Sequence, residues 1–188
     1  LGVVGVAVGT ALLPTLSRQL AAKDGGAAIA SQNRGLELAL LLTLPAMAAL
    51  IAMPEPLIRV LFERGAFDAR AVSATSAALI AYATGLPAYV LIKVLTPGFF
   101  AREDTRTPVR IAVFAMLANI IMNLIFMRYW GHVGIAYASS LSAWANALVL
   151  GVLLNRRGEL ILDARLLSQS LRAFFASFGI SLSTPINE

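Results

Sequence analysis

The chain has 188 residues, 59% hydrophobic and only 13% charged, with a formal charge of +5 and a mean hydropathy of +0.79. So few charges cannot cover the surface of a water-soluble domain of this length. That excludes a disordered chain, a coiled coil and a nucleic-acid module, and makes lipid headgroups the natural counter-charge for basic residues scattered between apolar runs.

The pattern along the chain is that of an all-α, polytopic membrane protein. Residues 1–16 carry no charge and stop at Ser17-Arg18. A crossing needs about 20 residues, so this reads as the second part of a spanning helix, and the chain as a fragment lacking its N-terminal part. Gly5 and Gly9 form a small-xxx-small pattern that lets helices approach closely. Residues 17–34 are polar, with Gly25-Gly26 as a breaker. Residues 35–53 form the second span, with Glu37 near its start and Pro45 in its middle. Residues 54–73 mix charged and apolar side chains. There Leu57, Val60, Leu61 and Phe67 share one side of a short interfacial helix, with Arg59–Glu63 and Arg64–Asp68 pairs opposite.

Residues 74–96 are the third span, with Gly85 and Pro87 near its middle, Lys93 near its end, and Pro97-Gly98 closing it. A polar loop, 99–107, leads to Thr107-Pro108, which reads as an N-cap followed by proline at the first helical position. Residues 109–127 are the fourth span, containing Asn119 and Asn123. A loop at 128–132 follows, and residues 133–154 are the fifth span, containing Ser139, Ser140, Ser142 and Asn146. Residues 155–172 are polar and basic. The apolar stretch 173–182 is too short to cross a bilayer.

Alternate loops share a side of the membrane. Arg18, Lys23, Arg34, Lys93, Arg102, Arg106, Arg110, Arg156, Arg157, Arg165 and Arg172 fall on one side. Arg59, Arg64, Arg70 and Arg128 fall on the other. The positive-inside rule places the first group in the cytoplasm. Motifs for covalent chemistry are missing: no phosphate-binding glycine loop, no nucleophile elbow, no cysteine, and a single histidine, His132. A transporter, a channel or an assembly subunit, rather than an enzyme, is the expectation.

Three stretches carry a family resemblance. They are Gly5-Val6-Ala7-Val8-Gly9-Thr10-Ala11-Leu12-Leu13-Pro14-Thr15-Leu16-Ser17-Arg18; Leu61-Phe62-Glu63-Arg64-Gly65-Ala66-Phe67; and the segment from Leu91 to Val109, with Thr96-Pro97-Gly98-Phe99-Phe100-Ala101-Arg102-Glu103-Asp104-Thr105-Arg106-Thr107-Pro108 at its centre. Together they resemble the MurJ/MviN lipid II flippases, over about residues 1–175. The resemblance implies a fourteen-helix, MATE-like protein of the MOP superfamily. It would move lipid-linked peptidoglycan precursor from the inner to the outer leaflet of the bacterial plasma membrane by alternating access. Residues 1–172 would then be about five helices of the C-terminal lobe, with 173–188 an incomplete span and a tail that diverges from about Ser177. Lipid II and membrane lipids would be its partners, with other cell-wall synthesis proteins as further candidates, and nucleic acid is excluded. The alternatives are an exporter of another polyprenyl-linked oligosaccharide or drug, and a non-transporting scaffold of the cell-wall machinery.

Four groups of residues are candidates for function. Lys93 is a snorkelling lysine that can meet an anionic headgroup near the mouth of a cavity. Pro45, Gly85 and Pro87 are candidate hinges. The family resemblance adds a sodium site, with Asn119, Asn123, the Ile135 carbonyl and Ser139 as oxygen ligands. Asn123 stands where the family's acid would be, which weakens hard-cation binding. The alternative for these residues is an interhelical hydrogen bond.

Overall fold

The structure, a computed structural model, describes residues 2–64 and 68–160. These residues form five helices: α1 Gly2–Ala21, α2 Gly25–Ala52, α3 Pro54–Phe62, α4 Ala69–Phe100 and α5 Arg106–Arg156. The last is two antiparallel arms that meet at the one non-helical residue Gly131, with φ 57° and ψ −135°. α2, α4 and α5 are long and apolar enough to cross a membrane. The fold is all-α.

The ends of the helices alternate. At one end Gln19 donates to Ser31 (2.9 Å), Gln32 donates to the Val94 carbonyl, and Arg157 pairs with Asp104 at 2.8 Å. At the opposite end His132 Nε2 lies 3.3 Å from the Ala74 carbonyl, joining the α5 turn to the start of α4. The described members of the larger basic group thus share one end of the bundle. Arg165 and Arg172, the stretch 173–188 and Phe67 lie outside the described residues.

Several boundaries differ from the sequence expectation, each for a local reason. α2 begins at Gly25, because Asp24 accepts from the Ala27 N–H at 2.9 Å and caps it. Gly25-Gly26 therefore opens a helix instead of breaking one. The left-handed residue that ends α1 is Lys23, φ 58°, with Asp24 N–H returning to the Gln19 carbonyl. α4 likewise ends on a left-handed Glu103, φ 61°, with Asp104 N–H returning to Phe99. α4 does not stop at Pro97-Gly98 but continues to Phe100, for reasons given with the site.

The cap of α5 is also displaced. Asp104, not Thr107, supplies it, accepting from the Thr107 N–H at 3.0 Å. Pro108 sits in the first turn, where a missing N–H costs nothing. The loop expected at 128–132 shrinks to Gly131. α3 is the short helix expected at the interface, but it ends at Phe62. Beyond that point the i,i+4 geometry is lost, and neither Arg59–Glu63 nor Arg64–Asp68 is among the ion pairs of the described residues. Asp68 instead caps α4 through the Ala71 N–H.

The core sits at the basic end, where Leu12, Leu16, Leu36, Val94, Phe99, Leu150 and Leu154 are buried together. A smaller cluster of Ala88, Ala143 and Ala147 joins α4 to the second arm of α5. Small residues let these helices approach closely, as expected where lipid removes most of the hydrophobic drive between helices. The first arm of α5 is apolar yet faces outward, with Phe114 72% exposed. Such a surface is stable against lipid or further apolar helices.

A polar clamp closes the basic end. Asp104 binds the Thr107 N–H and Arg157, Arg102 pairs with Glu159 at 3.3 Å, and the Arg157 guanidinium lies 5.4 Å above the Phe99 ring. Hydrogen bonds from Thr107, then Arg157, lower the Asp104 pKa from 3.8 to about 2. A carboxylate depressed in the folded state adds stability above its unfolded pKa. That stability fades as pH falls through the folded value. We expect Asp104→Asn to lower the melting temperature of the intact protein at neutral pH, and the gap between variant and wild type to close between pH 3.8 and about 2. Thermal unfolding followed across that range checks it. An equal gap at both extremes would contradict the assignment.

Candidate functional site

Lys93 is an exposed cation on α4, two turns before the helix ends. Its position depends on the proline four residues on. Pro97 lacks an N–H, so the Lys93 carbonyl has no helical donor. Gly9 of α1 rests against that carbonyl: a methyl group there would lie 2.7 Å from the oxygen. A methyl at Gly5 would lie 3.1 Å from Lys93 Cδ. The small-xxx-small pattern of α1 is therefore the seat of the Lys93 turn. α1 and α4 leave a groove of about 350 Å³ here, lined by Gly5, Gly9, Thr10, Lys93, Thr96 and Pro97 among others. The described ion pairs are Arg102–Glu159 and Arg157–Asp104, and Lys93 is in neither.

Gln32 secures the next carbonyl, and the sequence reading did not single it out. Its side chain is buried and donates to the Val94 carbonyl at 2.7 Å. Gly98 leaves the space: a methyl there would lie 3.2 Å from Gln32 Oε1. With Gly9 seated against the Lys93 carbonyl and Gln32 bonded to the Val94 carbonyl, α4 runs through Pro97-Gly98. The available signal is an amide only three residues ahead of an apolar run, at the end of the polar stretch 17–34.

The middle of α4 is pinned to the second arm of α5. Ser140 Oγ donates to the Ala81 carbonyl at 2.7 Å, Trp144 Nε1 to the Thr84 carbonyl at 2.9 Å, and the Tyr89 hydroxyl to the Ser139 carbonyl at 3.2 Å. Gly85 lies directly under Ser140, where a methyl would come 2.6 Å from Oγ and 3.0 Å from Cα. α2 is continuous through Pro45 and α4 through Gly85 and Pro87. These residues sit within helices that do not break, and Gly85 is a close-packing point.

Asn119 and Asn123 come together on the first arm of α5, where the Asn123 amide donates to Asn119 Oδ1 at 3.0 Å. Asn123 Oδ1 is buried without a partner. The Ser139 carbonyl is engaged by Tyr89, and Ile135 is half-buried on the second arm. The bond that crosses between the arms comes from Ser142, which donates to the Ala115 carbonyl at 2.7 Å. Hard cations take about six or more oxygen ligands and favour carboxylates. This set offers the Asn123 Oδ1 and the Ser139 hydroxyl as open side-chain oxygens but no acid, and no metal-binding cluster of His, Cys, Asp or Glu occurs among the described residues. The residues form a hydrogen-bonded amide pair, and the missing carboxylate counts against a resident sodium ion. We expect Asn123→Asp to create a sodium-dependent rise in melting temperature that the wild type lacks, with potassium as the control. An equal sodium response in the wild type would contradict this.

Comparison with known proteins places this geometry. The sequence profile described as "MurJ: Lipid II flippase MurJ" matches residues 1–184. The family pattern thus continues past Ser177, where a short apolar stretch had carried too little signal to be read. The chain is 46% identical over 161 residues to "Probable lipid II flippase MurJ" of Rhizobium tropici, covering 86% of this chain and 30% of that protein. It is 45% identical over 177 residues to the protein of the same name from Rhizobium meliloti (strain 1021), covering 94% and 33%. A solved structure, "Lipid II flippase MurJ, inward closed conformation", matches 100% of this chain and 39% of its own, at 30% identity and a TM-score of 0.80. The chain therefore spans about a third of the length of the curated relatives it matches.

Proposed function

The chain belongs to the MurJ family of lipid II flippases, and from that premise we propose that it forms one wall of a transporter for lipid-linked peptidoglycan precursor in the bacterial plasma membrane. The observation that carries this reading is the agreement in helix arrangement, at a TM-score of 0.80, with a flippase at 30% identity. The physical need is a charged pyrophosphate that cannot enter hydrocarbon unaided. A transporter meets it by holding the headgroup in a polar path while the tail stays in lipid. Within this wall Lys93 is the cation suited to an anionic headgroup. It is exposed, outside the described ion pairs, and carried on an apolar helix whose backbone α1 and α2 hold in place.

The test is complementation with the full-length gene in cells depleted of their own flippase. Restored wall synthesis is expected, and failure would turn the reading toward an exporter of another lipid-linked glycan. In the same assay Lys93→Arg should retain function and Lys93→Glu should lose most of it, at unchanged protein level. Equal rescue by Lys93→Glu would remove Lys93 from the transport path.

A further inference from the structure

We propose that α3 is a membrane foot: a short helix that lies in the lipid interface at the less basic end and inserts Leu57, Val60 and Leu61 among the upper acyl chains. Depth is the first ground. α3 starts at Pro54, with only Met53 between it and the end of the spanning helix α2 at Ala52, and the chain returns through the spanning helix α4. α3 thus lies at the membrane surface whatever the protein transports.

Division of its faces is the second ground. At 3.6 residues per turn, the helix has three faces. Ile58 is buried and holds the helix against the protein. Glu55 and Arg59 fall on one exposed side, four residues apart. Val60 and Leu61, 76% and 61% exposed, fall on another with Leu57. Met53, also exposed, extends this apolar surface just before the helix begins.

Continuity and charge complete the argument. Tyr129 and Trp130 are exposed at this same end, next to the Gly131 turn that His132 ties to α4. Aromatic rings of this kind mark headgroup depth. The charges on α3 and its flanking turns balance, with Arg59, Arg64 and Arg70 against Glu55, Glu63 and Asp68, and Arg128 beside Tyr129 adds a single positive charge at this end. The occupant of the apolar side is therefore a zwitterionic lipid interface, held by buried area and not by attraction to anionic lipid.

The test uses the full-length protein, freed of native cysteines and reconstituted in phosphatidylcholine vesicles. Single spin labels replace Glu55, Arg59, Val60 or Leu61. Labels at 60 and 61 should relax with dissolved oxygen and lose most of their response to a water-soluble nickel complex, while those at 55 and 59 should show the reverse. Full nickel access at 60 and 61 would place that face in water. Protection from both agents would mean that protein covers it. Either result overturns the proposal. Adding phosphatidylglycerol should leave the depth unchanged, and a deeper position would overturn the charge-balance part. None of these outcomes bears on lipid II, so failure here is distinct from failure of the transport assay.

Discussion

Gly134→Ala should abolish the stable fold of the α5 hairpin, and with it most of the recoverable protein. Two apolar arms reverse direction here on one residue, Gly131, whose φ of 57° and ψ of −135° are open to glycine and strained for any L side chain. A turn this short forces the start of the second arm onto the end of the first. A methyl group at Gly134 would overlap the Phe126 carbonyl group. That obstacle is backbone within a helix and cannot rotate away, so the arms must separate. Overpacking costs about 1–3 kcal/mol where side chains can adjust, and this site lies beyond that range. Separation would also loosen the Ser142 bond to the Ala115 carbonyl. Gly131→Ala adds no clash, since open space surrounds that site, but carries about 1–3 kcal/mol of backbone strain. Gly151→Ala is the control: its methyl would meet only Leu95 Cδ1 at 3.9 Å, and helix propensity favours alanine by about 0.8–1 kcal/mol. Thermal unfolding of the full-length protein in detergent should rank them Gly134→Ala, Gly131→Ala, wild type, Gly151→Ala in rising order of stability. Wild-type behaviour of Gly134→Ala would show that the turn is not as drawn.

The same contrast explains what could be read in the sequence. The apolar spans were legible because hydrocarbon admits long uncharged helices and little else. The alternation of their ends was legible because basic residues are unequally divided. α3 was legible from the spacing of Leu57, Val60 and Leu61. Helix ends were not, since glycine and proline mark breaks only when no neighbour supplies what they remove. Gly25-Gly26 opens α2 because Asp24 caps it, and Pro97 stays inside α4 because Gly9 and Gln32 cover the adjoining carbonyls. Gly9 and Gln32 are 62 or more residues from the carbonyls they meet, beyond any local pattern, whereas the Asp24 cap lies three residues from its donor. Of the site, Lys93 and the asparagine pair were legible as polar residues in apolar helices. The Asn123–Asn119 bond is local to one helix, four residues apart, whereas the role of Ser142 in joining the arms depends on the register of the hairpin, which Gly131 sets.

Gly85→Ala should destabilise the protein, and Ser140→Gly should restore a large part of the loss. The added methyl would lie 2.6 Å from Ser140 Oγ, 2.9 Å from its Cβ and 3.0 Å from its Cα. Its first two obstacles vanish when residue 140 becomes glycine. We expect about 1–3 kcal/mol lost for Gly85→Ala. Ser140→Ala should lose about 0.6–2 kcal/mol through the missing bond to the Ala81 carbonyl. Touching residues give non-additive energies, so the Gly85→Ala/Ser140→Gly double variant should be more stable than the sum of its singles. A hinge and a packing contact part company at this point. If Gly85 serves chiefly as a flexing hinge, alanine stiffens α4 and shortening residue 140 changes nothing. If it serves as the point where α4 and α5 touch, shortening Ser140 relieves the strain. The double-mutant cycle, measured by thermal unfolding and by complementation, distinguishes them. We expect the contact, because α4 is continuous through Gly85 and is pinned on either side by Ser140, Trp144 and Tyr89. In alternating access such a pair would move as one body, with rotation taken up elsewhere. Additive energies would return Gly85 to the list of hinges.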